Sequence, residues 1–500
     1  MHIVLATCEV APFAKTGGLA DVCAALPQAL EELGHQVALF MPGFRSALQS
    51  GQEMEELGLE LAIPIANKTV RGTLLRSRLP GSRVPVFLVR QDHYYDRPGL
   101  YQENGVDYQD NCERFVFFCR AVMEAVGKLE LPVDILHAND WQTGLLPAYL
   151  QIEYRQVPPW EHAGSVFTIH NLAYQGRFWH WDMVLTGLDW KYFNWQQMEF
   201  YGQLNLMKTG IVFADTITTV SPRYAQEIQS EPLGCGLSEV LKHRREVLVG
   251  ILNGVDYQVW NPANDPHLPA HYTAEDLSGK RECKRALQRE LGLPEGDLPL
   301  LGMIGRLTEQ KGFDLAAQVI PPWAQSGRTQ WVILGTGEEP YHELLSELAR
   351  RFPQQLAVRL EFSEPLAHRI EAGADLFLMP SRFEPSGLNQ LYSLRYGTIP
   401  VVHATGGLAD TITEATPQTL LAGTGNGFRF EEYTPQALTA ALERALAWYR
   451  DRTSWTRLMQ NAMRQDWSWR RSAARYVEVY EDTLRRVQRK LQTSTAGSQS

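Results

Sequence analysis

Residues 2–40 decide the fold, and they read HIVLATCEVAPFAKTGGLADVCAALPQALEELGHQVALF. An apolar run opens the stretch and is typical of a buried strand, and a loop with two adjacent glycines follows at residues 9–18. Apolar residues then recur every three or four positions, which predicts a helix, at Leu19, Val22, Leu26, Leu30 and Leu33. Gly34 ends that helix and residues 37–40 form a second buried strand, so the stretch predicts the repeating unit of a parallel sheet.

The same alternation of strand and helix runs through most of the chain. Strand candidates in the first half lie at 85–89, 133–137, 165–169, 215–220 and 248–252. A polar passage around residues 261–269 interrupts the rhythm, which resumes with strand candidates at 299–304, 331–334, 358–362, 375–379, 399–402 and 427–430. This pattern predicts an α/β protein with two doubly wound, Rossmann-like domains.

Five hundred residues exceed what one hydrophobic core usually organises, so at least two domains are expected. We predict an N-terminal domain over residues 1–250 and a C-terminal domain over 251–470. A helix over 471–491 is expected to pack back on the N-terminal domain. The small, polar residues 492–500 predict a disordered tail.

Composition limits the possible partners and the location. The net charge of −10 argues against a nucleic-acid-binding surface, and no apolar run is long enough to cross a membrane. The six cysteines are scattered without metal-ligand spacing, and no signal or transit peptide precedes the first strand. We therefore expect a soluble, cytoplasmic protein, which must concentrate its cations locally if it handles phosphates.

Polar residues cluster where the predicted strands end. Ligands of open α/β sheets bind at the carboxyl ends of the strands, so these positions are candidates for a site. In the first half they are Glu9, residues 15–18, 137–141, 170–171 and 253–254. In the second half they are residues 305–306, 335–337, 381–387 and 405–407.

Two glycine motifs carry a resemblance to a known family. Residues 15–22, KTGGLADV, resemble the signature of ADP-glucose-dependent glycogen and starch synthases, and residues 405–410, TGGLAD, are similar to the second glycine loop of that family. Further matches follow in family order at 137–141, 168–171, 253–256, 305–307, 311–312 and 382–391. The resemblance implies the GT-B fold, in which two Rossmann-like domains face each other across a cleft, and the lack of a transit peptide favours the bacterial branch.

Arg306 and Lys311 are candidates for the group that stabilises the departing nucleotide. Two fixed cations at a strand end would stabilise the negative charge that grows on a leaving diphosphate, although an ordinary surface pair has the same sequence. The resemblance assigns both to the diphosphate of ADP-glucose, and it implies that Lys15 contacts the phosphates as well. The remaining donor-binding residues that it implies are Gly17, Gly18, Gly305, Thr405, Gly406 and Gly407.

Glu384 and His170 are the other candidates for catalysis. A carboxylate aimed at the sugar could hydrogen-bond its hydroxyls, whereas the alternative is a glutamate that interacts with a helix dipole. The resemblance implies that Glu384 is essential and that His170, otherwise typical of a core histidine, lies beside the donor glucose. Many retaining relatives carry a second glutamate eight residues on, but position 392 is Tyr here.

The resemblance places the acceptor glucan on the first domain. It implies that Asp21, Asp140 and Asn253 lie on the acceptor side. Trp141 and Tyr95 could stack on glucose rings, as could Tyr94 and Tyr101, but most aromatic residues of a chain this size belong to the core.

The expected activity is retaining transfer of glucose from ADP-glucose to the non-reducing 4-OH end of an α-1,4-glucan, either glycogen or a malto-oligosaccharide. No cofactor and no metal are expected, because the sequence lacks an Asp-x-Asp pair and side-chain cations can replace Mg²⁺. The choice of ADP-glucose over UDP-glucose rests on the resemblance. A sugar-nucleotide epimerase or hydrolase of the same fold, and a non-catalytic glucan-binding protein, remain as alternatives.

Overall fold

The computed structural model describes residues 1–497, with side chains described up to Thr493. Its strands are β1 His2–Ala6, β2 Gln36–Pro42, β3 Glu55–Ile65, β4 Lys68–Arg78, β5 Pro85–Arg90, β6 Gln102–Glu103, β7 Val106–Asp107, β8 Ile135–Asn139, β9 Gly164–Ile169, β10 Arg177–Trp179, β11 Glu199–Phe200, β12 Gln203–Asn205, β13 Thr216–Thr219, β14 Leu248–Gly250, β15 Leu300–Ile304, β16 Gln330–Leu334, β17 Leu356–Arg359, β18 Leu376–Met379, β19 Ile399–His403 and β20 Phe428–Phe430. Its α-helices are α1 Gly18–Glu32, α2 Arg45–Leu48, α3 Asp92–Tyr95, α4 Asn111–Lys128, α5 Leu145–Tyr149, α6 Met183–Thr186, α7 Leu206–Phe213, α8 Pro222–Glu227, α9 Ser238–His243, α10 Ser278–Leu291, α11 Phe313–Ser326, α12 Glu339–Arg351, α13 Glu364–Gly373, α14 Asn389–Arg395, α15 Gly406–Thr411, α16 Pro417–Leu421, α17 Pro435–Arg450, α18 Arg452–Arg464 and α19 Trp469–Gly497.

The chain divides into two compact units. The first comprises residues 1–254 together with the chain from Trp469 onward, and the second comprises residues 255–468. Each unit contains its own hydrophobic core and its own central sheet. The first division lies four residues after the boundary predicted at 250, and the second lies two residues before the boundary predicted at 470.

The first unit is built on a nine-stranded sheet in the order β14-β13-β9-β8-β1-β2-β5-β4-β3. Seven strands are parallel, but β4 pairs antiparallel with both β5 and β3. The sequence analysis missed this hairpin. Its first strand is exposed on alternate residues, and a strand that covers only one face of a core lacks the continuous apolar run of a central parallel strand.

The second unit contains six strands in the order β17-β16-β15-β18-β19-β20, and every pair is parallel. The central strands β15, β16 and β18 are almost wholly buried, because helices cover the sheet on both sides. Their carboxyl ends lead into the loops that contain Arg306, Gly335 and Glu384. The sheet therefore brings polar residues that are distant in sequence to one edge.

Helix α19 packs on the first unit and fixes buried polar groups there. The Tyr480 hydroxyl lies 2.8 Å from His137 Nδ1, and the Thr483 hydroxyl lies 2.7 Å from that of Thr216.

Helix α19 continues to Gly497, so the disordered tail predicted from 492 is wrong for residues 492–497. Extending an existing helix adds one backbone hydrogen bond per residue, and the Thr493 hydroxyl also donates to the Lys490 carbonyl. The rest of the predicted tail, 498–500, lies outside the described residues.

None of the helices in residues 1–497 combines the length and the apolar character that crossing a lipid bilayer requires.

Candidate active site

Glu9 organises the first glycine loop. Its side chain is buried, and one carboxylate oxygen accepts hydrogen bonds from the backbone N–H groups of Thr16 at 2.6 Å and Gly17 at 3.2 Å. The other oxygen accepts from the hydroxyls of Thr16 at 2.6 Å and Tyr101 at 2.9 Å. The resemblance implied that Gly17 binds the donor, but the N–H groups of Thr16 and Gly17 bind an internal carboxylate.

We expect Glu9→Gln to lower the free energy of unfolding by about 1–3 kcal/mol. The single oxygen of a glutamine amide cannot accept all the hydrogen bonds that the two oxygens of the buried carboxylate accept. Urea denaturation of the purified variant measures this loss. Glu32→Gln is the matched control, since Glu32 is exposed on α1 of the same unit. Equal midpoints for the two variants would show that Glu9 does not hold the loop.

Lys15 and Asp21 form an ion pair at the start of α1. Lys15 Nζ lies 2.7 Å from Asp21 Oδ1, and both side chains are more than one-third exposed. The predicted donor-binding lysine and the predicted acceptor-side aspartate are therefore direct neighbours. An exposed pair of this kind contributes little to stability, so Lys15 can exchange Asp21 for another anion at small cost.

The carboxyl ends of β8 and β9 bring Asp140 and His170 together. Asp140 adopts a φ of 57°, and its Oδ1 accepts the His170 backbone N–H at 2.8 Å. His170 Nε2 donates to Asn139 Oδ1 at 2.9 Å, while the Asn139 amide donates to the Ala6 carbonyl, which fixes the orientation of that amide. Burial lowers the pKa of His170 to about 3, so its imidazole is neutral at physiological pH. Its Nδ1 is then an acceptor, with no partner among the residues that the structure describes.

Asp140 gives the first unit a measurable pH dependence. Burial raises its pKa to about 7, whereas the N–H groups of His170 and Asn171 act in the opposite direction. The folded protein therefore holds a proton that an unfolded aspartate, with a pKa of about 3.9, has released. This contribution to stability falls as the pH rises from about 4 to about 7.

We expect Asp140→Asn to remove this dependence. The unfolding free energy of the wild type minus that of the variant should decrease steadily between pH 4 and pH 7, as measured by urea denaturation at constant ionic strength. Subtracting the two free energies cancels the contributions of His137 and His170, because both histidines titrate in the wild type and in the variant. A difference that stays constant or rises over this range would contradict a raised pKa at Asp140.

Tyr95 is not a glucan-stacking residue, so that prediction is wrong. The side chain is 0% exposed, and its hydroxyl donates to the Arg114 carbonyl at 2.9 Å. Tyr94 is buried beside it. The short helix α3 turns both rings toward Phe117, and tyrosines buried with a hydrogen-bonded hydroxyl are typical of a core.

Trp141 is partly buried and belongs to an aromatic cluster. Its ring lies 5.0 Å from that of Phe115 and 5.8 Å from that of Phe178, between centroids. A Cβ atom at Gly176 would come within 2.3 Å of the indole, so the backbone of that glycine lies directly on the ring. One indole face is therefore covered. Stacking of a sugar on the uncovered part of the ring stays a prediction. Asn253, also predicted on the acceptor side, follows β14 and is buried.

Lys311 and Glu384 form the central ion pair of the second unit. Lys311 Nζ lies 2.6 Å from Glu384 Oε2, and the Ser381 hydroxyl donates to the same oxygen at 3.1 Å. Glu384 is 6% exposed. An isolated buried carboxylate is costly, and the hydrogen bonds from the lysine and the hydroxyl offset part of that cost.

Close backbone packing explains the glycines of the second glycine loop. The Gly407 N–H donates to the Glu384 carbonyl at 3.1 Å. A Cβ atom at Gly406 would lie 2.0 Å from that carbonyl, and one at Gly407 would lie 1.9 Å from the carbonyl of Ser386. The loop at 405–407, predicted to bind the donor, therefore positions the backbone that carries Glu384.

Glycines also bring the other loops of this unit together. A Cβ atom at Gly335 would lie 1.9 Å from the Gly305 carbonyl, and one at Gly312 would lie 2.0 Å from the Pro380 carbonyl. The second contact places Lys311 beside the end of β18, and so beside Glu384. Arg306 follows Gly305, is exposed, and forms no ion pair with any residue in the described part of the chain.

Comparisons with known proteins cover both units. Residues 2–243 match the family model described as the starch synthase catalytic domain, and residues 284–462 match the model for glycosyl transferases group 1. The glycogen synthase of Rhodopirellula baltica is 46% identical over 497 residues, covering 97% of this chain and 98% of the relative. The chain belongs to the glycogen and starch synthase family. It is therefore a glycosyltransferase.

Further members of the synthase family agree with this assignment. The glycogen synthase of Anaeromyxobacter dehalogenans strain 2CP-C is 49% identical over 485 residues, covering 96% of this chain and 99% of its own length. The catalytic domain of Starch Synthase IV from Arabidopsis thaliana bound to ADP and acarbose superposes with a TM-score of 0.87 at 33% identity, covering 97% of this chain and 99% of that one. These likenesses and the two sheets, one mainly and one wholly parallel, confirm the predicted GT-B fold with two Rossmann-like domains.

Two positioning residues of this synthase-family chain were missed by sequence reasoning. Glu9 and Asn139 lie within motifs that the sequence analysis noted, but neither was assigned a role. Glu9 holds the loop that carries Lys15, and Asn139 sets the tautomer of His170. A polar residue at or shortly after the carboxyl end of a buried strand was the only signal in the sequence that could have identified either.

Proposed function

We propose that the protein is a glycogen synthase that transfers glucose from ADP-glucose to the 4-OH at the non-reducing end of an α-1,4-glucan with retention of anomeric configuration. The Lys311–Glu384 pair carries this proposal, because it combines a fixed, partly exposed cation for the leaving diphosphate with a fixed, buried carboxylate for the sugar. The full-length relatives named glycogen synthase support the same reaction.

The diphosphate of ADP-glucose would bind Lys311 and Arg306. Arg306 is exposed without an ion pair among the described residues, so its guanidinium can take a phosphate without breaking an existing contact. Negative charge on the β-phosphate grows as the glycosidic C–O bond breaks, and both cations then interact more strongly than in the ground state. We propose that these side chains replace a metal ion and that no cofactor is needed.

The donor glucose would lie beside Glu384 of the second unit. The Glu384 carboxylate can accept hydrogen bonds from sugar hydroxyls, and on the first unit the neutral His170 offers a further acceptor at Nδ1. The Glu384 carboxylate is already bound by Lys311 and Ser381. We therefore propose a front-face transfer, in which the departing phosphate takes the proton of the acceptor 4-OH.

The acceptor glucan would bind the first unit near Asp140. Helix α1 begins at the glycine loop that Glu9 holds, which places Lys15 and Asp21 together at one strand end. Lys15 would exchange Asp21 for a donor phosphate, and the released aspartate could then accept hydrogen bonds from glucan hydroxyls.

One assay tests this proposal against its alternatives. The purified chain is incubated with glycogen and either ADP-glucose or UDP-glucose, and both nucleotide release and glucose incorporation into polymer are followed. We expect incorporation equal to ADP release, with UDP-glucose used at a much lower rate. Nucleotide release without incorporation would identify a hydrolase, and a rearranged sugar nucleotide would identify an epimerase. Glucan binding without turnover would leave only a binding protein.

A further inference from the structure

Three arginines on the first unit line an open cavity at the amino ends of β13 and β14, whereas the sequence motifs of the proposed site follow the carboxyl ends of strands. The cavity has a volume of about 470 Å³ and lies between the end of α9, the segment that leads into β14, and residues 486–490 of α19. A volume of this size is within the range of small-molecule sites. Its charged lining comprises four cations and two carboxylates, namely Arg244, Arg486, Arg489, Lys490, Asp215 and Glu246.

The carboxylates do not neutralise the three arginines. Asp215 accepts hydrogen bonds from the backbone N–H and hydroxyl of Ser165 and pairs with Lys490 at 2.9 Å. Burial raises the pKa of Asp215, but Lys490 and the Ser165 N–H outweigh that effect and lower it overall. Glu246 is exposed and pairs with Arg245 at 3.4 Å. The lining therefore keeps an excess of positive charge in a chain whose net charge is −10.

The hydrogen-bond partners of Arg244 are neutral groups. Its guanidinium donates to the backbone carbonyls of Val212, at 3.0 Å, and Ala214. Its Nε is buried without a hydrogen-bond partner in the described residues. Burial lowers the pKa of Arg244, Asp215 raises it, and the nearby like charge of Arg486 lowers it further. A desolvated guanidinium fixed beside another one is unfavourable unless an anion joins them.

Arg486 and Arg489 supply the other charges from α19. Arg486 donates to the Thr216 hydroxyl at 3.3 Å and to the Glu246 carbonyl at 3.5 Å, and both acceptors are neutral. Arg489 is exposed, and its side chain forms no ion pair within the portion of the chain that the structure describes. Three guanidiniums line one cavity, and none of them forms an ion pair in the described residues, although Asp215 lies near Arg244 and Asp482 near Arg486. Guanidinium groups are the side chains best suited to bind phosphate.

We infer that this cavity is a binding site for a small phosphate dianion, separate from the site of glucose transfer. A phosphate group would contact Arg244, Arg486 and Arg489, and the remaining volume would admit a small organic group such as a sugar. Such a ligand joins α19 to the segment that leads into β14, so binding stabilises the first unit.

Calorimetric titration of the full-length chain tests this inference, with glucose 6-phosphate and inorganic phosphate as probes at constant ionic strength. We expect each phosphate to bind the wild type with a dissociation constant of millimolar or lower, and uncharged glucose not to bind this site. Tighter binding of glucose 6-phosphate would identify a phosphate ester as the ligand, and equal affinities would identify phosphate itself.

Variants locate the binding, because the proposed donor site also attracts phosphates. Arg489→Gln should weaken binding at least tenfold, and Arg486→Gln should do the same. Arg485→Gln is the matched control on the same helix, since Arg485 pairs with Asp482 and does not line the cavity. Replacing Arg489 breaks no side-chain contact in the described structure, so its melting temperature without phosphate should stay unchanged. The absence of binding to the wild type, or equal binding by wild type and Arg489→Gln, would overturn the inference.

Discussion

Replacing Lys311 with alanine is expected to lower kcat by about 100- to 1,000-fold, which is the usual effect of removing one preorganised group that stabilises transition-state charge. Lys311 Nζ is fixed 2.6 Å from Glu384 Oε2, beside the end of β18. Among the described residues, no other cation forms an ion pair with that carboxylate. The variant loses the charge that offsets growing negative charge on the leaving diphosphate. Steady-state kinetics with ADP-glucose and glycogen measure the effect.

The fold of this variant should persist, since Lys311 lies in a single 3-10 turn at residues 309–311 and its side chain is partly exposed, although the buried Glu384 carboxylate loses its cation. Lys242→Ala is the matched control, because Lys242 is exposed on α9 and pairs only with Glu239 in the described structure. Circular dichroism and the melting temperature verify that both variants are folded. A rate for Lys311→Ala within threefold of the Lys242→Ala rate would remove Lys311 from the catalytic role.

Glu384→Gln is expected to reduce kcat by at least about 100-fold while changing KM for ADP-glucose much less. The amide keeps the size of the side chain and can still accept from Ser381 and Lys311, so the loop geometry is retained. The substitution removes the negative charge that would stabilise positive charge on the anomeric carbon in the transition state. An interaction made mainly in the transition state affects kcat rather than substrate binding.

Glu338→Gln serves as the control for the same change of group, since Glu338 is exposed in the second unit. Its kcat and KM should match those of the wild type. A Glu384→Gln enzyme with normal kcat and a raised KM would show that Glu384 binds the ground state only. The catalytic role assigned to this carboxylate would then be wrong.

The sequence predicted the positions of the loops in this protein more accurately than it predicted which groups those loops contact. A glycine pair after a strand signals close backbone approach, but the approaching group has no signature of its own. Two amides of the loop at Lys15 go to the carboxylate of Glu9, and Gly406 and Gly407 pack against the backbone at 384–386. The contacts of Gly406 and Gly407 join two different strand ends, and those of Glu9 form within one irregular loop. Periodicity carries no information about either kind of contact.

Burial of single aromatic side chains was similarly beyond the sequence. Tyr95 lies in a polar segment that looks exposed, yet α3 turns its ring into the core beside the buried Arg114. The hairpin β3–β4 was missed although the alternating apolar residues of β3 are typical of a half-buried strand, because only continuous apolar runs were interpreted as strands. The parallel strands were located closely because they are continuous apolar runs, and the strand predicted at 85–89 is observed as Pro85–Arg90.

The most direct test measures incorporation of labelled glucose from ADP-glucose into glycogen by the purified wild-type chain, with excess EDTA and with added Mg²⁺. Side-chain binding of the diphosphate predicts the same rate in both conditions, and a loss of at least 100-fold in both for Lys311→Ala. A reaction that stops in EDTA and resumes with Mg²⁺ would contradict the central role given to Lys311 and Arg306. So would the absence of any incorporation.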